Sequence, residues 1–547
     1  MKTKNCSDCG SSFSIPDEDL ALYEKFGIEP LNLCFKCDQK SRLCFRNERN
    51  LYLRKCDATG EKIVSIYSED KLFKVYKSDY WYGDRWDGLD YGRNFDFNRP
   101  FFEQFKELQV EVPRLAVSVI NCQNSDYCNT CYGNKNCYLI FGGDNNEDCL
   151  YGTLCMQNIK SLDLDFSNNN ELCYMLGDTL GCYGCRFTFD SKNCKNCYFV
   201  SDCIGCNECI LCTNLVNQSY NILNKKYSKD EYFEKKDGLI NGSFIQQEKN
   251  FEEFRKLREK RIVKYSHILN SVNCSGDYIK NSKNCRNCFV ISECEDLTNI
   301  IFADKCRDCF NCSILGVGTE FSYGLISTYG TYKSKFSFFT IDSSNIEYSD
   351  FNIGCHNLFG CVGLKNKDYC ILNKKYSKEE FKNLRKNIVE HMKRTGEWGQ
   401  FLPKDASPFG YNESTAHDYY PLSKEQAIKE GFKWKDEDMR DYKPQSYEVP
   451  DNIKDISEEI CSETLACEDC GKNFKILDTE LRFYTRMKIP IPRKCSDCRH
   501  KERMNLRNPK KLWKRKCEKC GIDVLSSYAP ERPETVYCEK CYLETVV

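Results

Sequence analysis

Between residues 120 and 223 a short apolar segment returns about every twelve positions, and few chain paths can satisfy that period. The segments begin at Cys137 (CYLIF), Cys149, Leu162, Cys173, Cys185, Cys197, Cys209 and Tyr220, at intervals of 12, 13, 11, 12, 12, 12 and 11. Asn, Asp, Gly and Ser fill the gaps; these residues turn a chain readily, and some adopt left-handed backbone. A strand of about five residues plus a turn, repeated at near-constant period, predicts a β-solenoid. A second array spans residues 272–373, with strands near Cys288, Ile300, Cys312, Gly324, Phe336, Phe359 and Cys370. Both arrays leave through one phrase, ILNKKYSKDE from Ile222 and ILNKKYSKEE from Ile371, offset by 149. Ser228 and Ser377, each with a glutamate three residues on (Glu231, Glu380), read as capping boxes that open helices. Those helices are expected to cover the ends of the arrays.

The chain carries forty cysteines, six in residues 1–79, fifteen in 120–215, ten in 272–372 and nine in 461–547. Within the arrays, Cys182/Cys185, Cys194/Cys197, Cys206/Cys209, Cys285/Cys288 and Cys306/Cys309 are CxxC pairs. They could ligate metal, or form a ladder of buried thiols, since free cysteine behaves as a small hydrophobe. The leading cysteine gives way to Leu162, Ile300, Gly324 and Phe336 at the other repeats. Such residues fill a core slot but cannot bind zinc, so the ladder is the expectation. Rungs about 4.8 Å apart would also admit disulfides.

A second duplication joins the two ends of the chain. Cys6, Cys9, Cys34, Cys37 and Cys56 recur as Cys467, Cys470, Cys495, Cys498 and Cys517, all offset by 461. The C-terminal copy holds two four-cysteine sets: Cys467, Cys470, Cys495 and Cys498, then Cys517, Cys520, Cys538 and Cys541. Paired knuckles of this spacing close a tetrahedral thiolate site with no open position, a structural zinc site. The N-terminal copy keeps its first set (Cys6, Cys9, Cys34, Cys37), but Thr59, Lys77 and Tyr80 replace three ligands of the second. Three zinc ions are therefore expected, with Cys44 a remote substitute ligand. The segments around CxxCG and PRKCSDCR resemble the zinc-ribbon (treble-clef) domain family over about forty residues at each end. The whole chain, with phrases such as SPFGYNE and VPDNIKDI, resembles an uncharacterised bacterial family of zinc-ribbon-ended, cysteine-rich repeat proteins. That resemblance implies the architecture and no activity.

Residues 493–519 contain twelve Lys or Arg against three acids, whereas the aligned window 32–58 has seven against three. Arg499, Lys501, Arg503, Arg507, Lys510, Lys511, Trp513, Lys514 and Arg515 form a basic face suited to phosphate contacts and base stacking. Alternatively, the acidic stretch 436–469 (twelve acids, three bases) folds over it. Residues 79–100 gather Tyr80, Trp81, Tyr82, Trp86, Tyr91 and Phe95, a run that either stacks on a ligand or packs on a neighbouring domain. Residues 246–264 read as a solvated charged helix, and His417 as a surface residue.

The divisions expected are a zinc module (1–79), an aromatic connector (80–119), the first array (120–223) and a helical connector (224–271). The second array (272–373), a capping helix (374–400), a Pro-containing acidic strap (401–460) and a double zinc module (461–547) follow. Net charge is −1, so no whole-molecule field favours nucleic acid or membrane. No apolar run reaches bilayer length, and residues 1–20 lack a signal-peptide core. Reduced thiols in CxxC pairs point to the cytoplasm. No nucleophile elbow, P-loop or HExxH motif occurs, and five histidines give acid–base chemistry few candidates. The leading expectation is a mainly-β, non-catalytic zinc scaffold whose C-terminal module meets RNA, DNA or a ribonucleoprotein. An assembly protein working through its solenoid surface, and a thiol-rich metal store or redox buffer, are the alternatives.

Overall fold

The computed structural model describes residues 1–436 and 441–546, and it is rich in strands, with twelve α-helices. Part of the expected strap, residues 437–440, lies outside the described residues. Residues 138–226 form a nine-stranded sheet whose spatial order follows the sequence. Leu150 pairs with Leu162, Leu162 with Tyr174, Tyr174 with Arg186, and Arg186 with Tyr198, all parallel and all twelve residues apart. The period is thus constant where the apolar segments suggest 13 and 11. Leu162 is not a repeat leader; Ser161 is.

A shorter period of three underlies the twelve. From Asn121 to Asn224 almost every third residue is left-handed, with φ between 47° and 61° at the non-glycine positions. Each rung therefore has four short sides, and the residue after each left-handed corner points inward. Asn and Asp take such corners easily, but Leu139, Tyr151, Phe187 and Phe199 also occupy them. The CxxC spacing within the arrays is this triplet seen at two consecutive inward positions.

Inward side chains do more than fill space. The Cys185 backbone N–H donates to Cys173 Sγ at 3.4 Å, and Cys197 N–H to Cys185 Sγ at 3.5 Å. In turn Cys197 Sγ bonds the carbonyls of Lys195 (3.4 Å) and Cys206 (3.5 Å). Ser161 acts in the same way at the preceding rung, accepting from Cys173 N–H at 3.0 Å and donating to the Ile159 carbonyl at 2.9 Å. Another column is asparagine: Asn146, Asn158 and Asn170 each donate Nδ2 to the Oδ1 of the asparagine twelve residues earlier, at 3.0–3.2 Å. The slot selects a small side chain that can accept an N–H and donate to a carbonyl, which explains its use of Cys, Ser and Asn.

The second stack begins with an eleven-residue rung (Ile268 opposite Ile279) and contains one thirteen-residue rung (Ser313 opposite Ile326). Ile300 and Cys312 lead their rungs as expected, but Leu325 and Ser337, not Gly324 and Phe336, occupy the two leading slots after them; Gly324 and Phe336 are left-handed corners. The strand at Asp350–Ile353 has no counterpart among the expected segments. Helices Lys229–Leu239 and Lys378–Thr395 follow the stacks, each opened by the expected capping box. Tyr232 packs on Tyr220 and Phe381 on Tyr369, congruent contacts under the 149-residue offset.

The charged helix lies at Phe244–Glu259 and is not solvated all round. Phe251 packs on Phe187, and buried Phe254 on Phe189 and Phe199, while the other face stays polar. The aromatic run packs inward: Trp81 is fully buried, meets Phe351, and donates Nε1 to the Pro113 carbonyl at 3.0 Å. His417 is half-buried between the rings of Tyr411 and Trp434 rather than at the surface.

The two duplications compose into one arrangement. Tyr23 of the N-terminal module meets Tyr323 of the second stack, and Tyr484, its equivalent at +461, meets Tyr174 of the first, the equivalent at −149. Likewise Val75 pairs with Arg114 ahead of the first stack, and Val536 with Val263 ahead of the second. Each terminal module thus sets its first half on the middle of one stack and its second half at the entry of the other. The ends of the chain clasp the two stacks together.

Candidate metal centres and the basic face

Each module opens with a two-stranded hairpin whose knuckle ends in a left-handed glycine (Gly10 φ 70°, Gly471 φ 70°, Gly521 φ 77°). The second CxxC of the two leading sets sits at the start of a helix, Phe35–Leu43 or Ser496–Asn505. Among the described residues three groups of cysteines gather all four sulfurs within 4.8 Å: Cys6/9/34/37, Cys467/470/495/498 and Cys517/520/538/541. These are the three expected sets. Cys9–Cys34, Cys470–Cys495 and Cys520–Cys538 sulfurs lie 3.8, 3.7 and 3.7 Å apart. A tetrahedron of Zn–S bonds of about 2.3 Å has an edge of about 3.8 Å, so the donor sets fit a metal of that size.

In each set at least one thiol is held down, while burial and neighbouring thiols raise Cys495, Cys498 and Cys541, and the bond with Cys34 and burial raise Cys37. Burial opposes ionisation of Cys517, but the backbone N–H groups of Cys538, Cys520 and Lys519 bring its pKa down to about 6. The Cys467 thiol is lowered to about 7 against burial by the N–H groups of Cys495, Cys470 and Asp469. In the N-terminal copy Cys34 falls to about 5, first through its bond with Cys37. The degenerate site keeps one such bond, Lys77 N–H to Cys56 Sγ at 3.4 Å, beside Tyr76, Trp81 and Leu115. Aromatic packing stands there where the C-terminal copy has metal ligands. Cys44 is buried in the hydrophobic core, donates to the Ser41 carbonyl at 3.2 Å, and belongs to none of these three groups.

The basic face is largely consumed inside the molecule. Arg499 Nε donates to Asp163 at 2.8 Å, and Arg503 donates to Asp165 at 2.6 Å and Asp163 at 2.9 Å. His500 Nδ1 lies 2.9 Å from Asp165, and Arg507 reaches Asp178 at 2.8 Å. Asp163 and Asp165 have no exposed side-chain surface. Burial would raise the Asp165 pKa, but the charges of Arg503 and His500 hold it well below the usual carboxylate range. Lys510 sits over the rings of Tyr419 and Phe302, and burial pushes its pKa well down. Arg515 bonds the Ala529 carbonyl and Glu518, and Trp513 is half-buried under Lys511. Of the nine expected contacts, Arg499, Arg503, Arg507 and Lys510 are therefore internal, while Lys501, Lys511 and Lys514 remain exposed.

Neutralisation does occur, but among the described residues the buried acids that provide it come from the first stack. Among the described residues the acidic stretch supplies this segment with Asp469, 3.2 Å from Lys494, while Asp451 instead accepts from Ile245 N–H at the start of helix Phe244–Glu259. Two further stack acids extend the series. Asp178, Asp190 and Asp202 occupy one left-handed corner at twelve-residue intervals, facing Arg507, Arg258 and Arg261 in turn. At the equivalent corner of the second stack stand Ser327, Phe339 and Phe351. Arg46, the counterpart of Arg507, there donates to Ser327 Oγ at 2.6 Å and lies over Phe339.

No protein-family model matches this chain, and no curated protein is similar to it at a significant level. Among the described residues no helix is long and apolar enough to cross a membrane.

Proposed function

We propose that this is a non-catalytic scaffold, two β-solenoids held together by zinc modules of zinc-ribbon type, acting through contacts with other proteins in the cytoplasm. The observation that carries this reading is the clasp itself. Each module touches both stacks, and the arginines best suited to grip phosphate are instead bound to Asp163, Asp165 and Asp178. Zinc ribbons in this role are joints, with no position left for substrate. The partner surface we favour is the outer face of the first solenoid. Ile120, Tyr132, Met156, Ile159, Tyr183 and Ile204 lie there, all more than one-third exposed, on two adjacent columns of rungs. They alternate with Asp144, Asn168, Lys192, Glu147 and Glu171 along those columns, and exposed apolar surface of this kind can serve protein contacts.

Elemental analysis of native protein tests the scaffold: three zinc per chain supports it, and many more would make the interior cysteines a metal store. A second reading, RNA or DNA binding, rests on exposed Lys501, Lys511, Lys514, Lys516 and Lys519. Charge reversal at Lys511, Lys514 and Lys516 decides between them. If salt-dependent retention on RNA exists and this variant abolishes it, the nucleic-acid reading replaces ours.

A further inference from the structure

We infer that Cys274 and Cys285 form a dithiol that solvent reaches at Cys274, with Cys285 buried beneath it, able to become a disulfide by exchange with a small-molecule disulfide such as oxidised glutathione. Most thiols inside the stacks are sealed: Cys185, Cys197 and Cys209 have no exposed surface. The entry rung of the second stack differs, because no rung lies outside it. Cys274 there is half-buried and lines a cleft of about 400 Å³ with Tyr265, Ile268, Ile522 and Leu525. Directly beneath it is Cys285. Val272 bridges Lys283, Ser275 N–H donates to the Cys285 carbonyl at 2.8 Å, and Cys274 packs on the core cluster that contains Cys285. The two cysteines are therefore an in-register stacked pair, and rungs about 4.8 Å apart lie within the Cα spacing of disulfides. Their side chains point inward side by side, so closing the bond requires the outer rung to pinch. The outer rung, backed by the C-terminal module across the cleft rather than by another rung, can do so, and exposed disulfides of this sort are the labile ones.

The exchange balances without further reagents. Cys274 thiolate attacks one sulfur of the glutathione disulfide, whose S–S bond breaks and releases one glutathione thiolate. Cys285, deprotonated in turn, attacks the Cys274 sulfur and expels the second. Two electrons pass from the protein thiols to the reagent, and the two protons end on the two glutathione thiols.

The first stack supplies an internal control. Its entry cysteine, Cys122, is also half-buried, but the inward residue beneath it is Asn134, whose N–H donates to Cys122 Sγ at 3.3 Å. Cys122 can take up glutathione but has no thiol below it to finish the exchange.

The experiment treats the zinc-loaded full chain with oxidised glutathione, quenches with acid, and maps disulfides by mass spectrometry without reduction. The expected result is one cross-link per chain joining Cys274 to Cys285, with three zinc retained. Cys285→Ser should trap glutathione on Cys274 stoichiometrically. That variant should fold, because serine already fills the same inward column at Ser322 and Ser334. The inference is overturned if Cys274 stays unmodified, if wild type holds glutathione there as persistently as Cys285→Ser, or if oxidation consumes zinc ligands and releases metal first.

Discussion

Replacing Asp165 with alanine is the sharpest perturbation of the clasp. The carboxylate accepts from Arg503 Nε at 2.6 Å and lies 2.9 Å from His500 Nδ1, with no side-chain exposure. Removing it leaves two buried donors without that acceptor, although Arg503 keeps its 2.9 Å bond to Asp163. Breaking a buried pair by deleting one partner costs about 3–5 kcal/mol, and the surviving bond places this case near 3. A companion Arg503→Met should restore much of the loss, because apolar replacement of a whole buried pair is often neutral. The double-mutant cycle should therefore show a coupling of about 2 kcal/mol, larger than the 0–1 kcal/mol of surface pairs. Amide exchange in helix Ser496–Asn505 reports the docking locally, and denaturant unfolding reports it globally. If Asp165→Ala costs less than about 1 kcal/mol, or if the two substitutions are additive, the ion pairs do not hold the C-terminal module and the clasp argument fails.

Other consequences are testable in the same protein. His267, 2.9 Å from Asp277 at the junction of the second stack and the C-terminal module, is raised to about 9: burial opposes this, but the Asp277 charge overcomes it. A raised pKa gives stability that is complete below about 6.5 and lost as pH climbs through about 9, up to about 3 kcal/mol given its quarter-exposed side chain. Asp277 is lowered to about 2, so its share is present above about pH 4 and lost on acidification through about 2. Unfolding midpoints should thus plateau between about pH 4 and 6.5, and His267→Gln should flatten the alkaline limb. Cys517→Ser should lower the metal count from three to two, whereas Cys56→Ser should leave three; equal losses by elemental analysis would mean that the degenerate site binds metal. In the first stack Asn158→Ala should cost about 1–3 kcal/mol by stranding the Asn170 donors that use its Oδ1. Cys197→Ser should cost under about 1 kcal/mol, because serine makes the same bonds in that slot.

Much of this architecture is legible in the sequence because it is periodic. The twelve-residue recurrence, the 149- and 461-residue offsets, the capping boxes and the three cysteine sets all have their counterparts in the folded chain. The sub-period of three is what stays hidden. A left-handed corner at Tyr151 or Phe187 breaks no rule visible in one sequence, since burial against neighbouring modules rather than local preference stabilises it. Leu162 reads as the leading slot because leucine looks like core, while the true occupant, Ser161, looks like turn. Strand Asp350–Ile353 escapes notice for a related reason: its inward residue Asn352 is polar, and buried Asp350 faces out of the stack, accepting from Gln109 at 3.0 Å and pairing with Arg114 at 2.8 Å. The basic segment misleads differently. Charge counts over a window reveal an excess but not its partners, and Asp163, Asp165 and Asp178 lie more than 300 residues away.

The asymmetry between the two ends follows from how each interface handles its arginines. Where the C-terminal module meets the first stack, Arg499, His500 and Arg503 need buried carboxylates, and the stack provides Asp163 and Asp165. Where the N-terminal module meets the second stack, the position of Arg499 is Asp38, which pairs with Arg42 on the same helix, while Gln39 in place of His500 accepts from Ser313 Oγ at 2.7 Å. That module therefore brings its own counter-ion, while at the corners equivalent to Asp190 and Asp202 stand Phe339 and Phe351, stacked at 5.2 Å between ring centres. Both joints combine aromatic and ionic contacts, but the C-terminal joint buries its carboxylates completely, whereas the N-terminal one places Arg286–Asp19 and Lys25–Asp308 nearer the surface. Protonation and salt act on charges that cross a joint far more than on apolar contact. Asp165 is held well below the usual carboxylate range, so its share of stability is lost in strong acid, whereas burial raises Asp19 and its protonation takes no stability from the other joint. The C-terminal clasp should therefore open first as pH falls. The excess of basic residues at the C-terminus is thus first a property of a joint, and only its exposed lysines remain available to anything outside the chain.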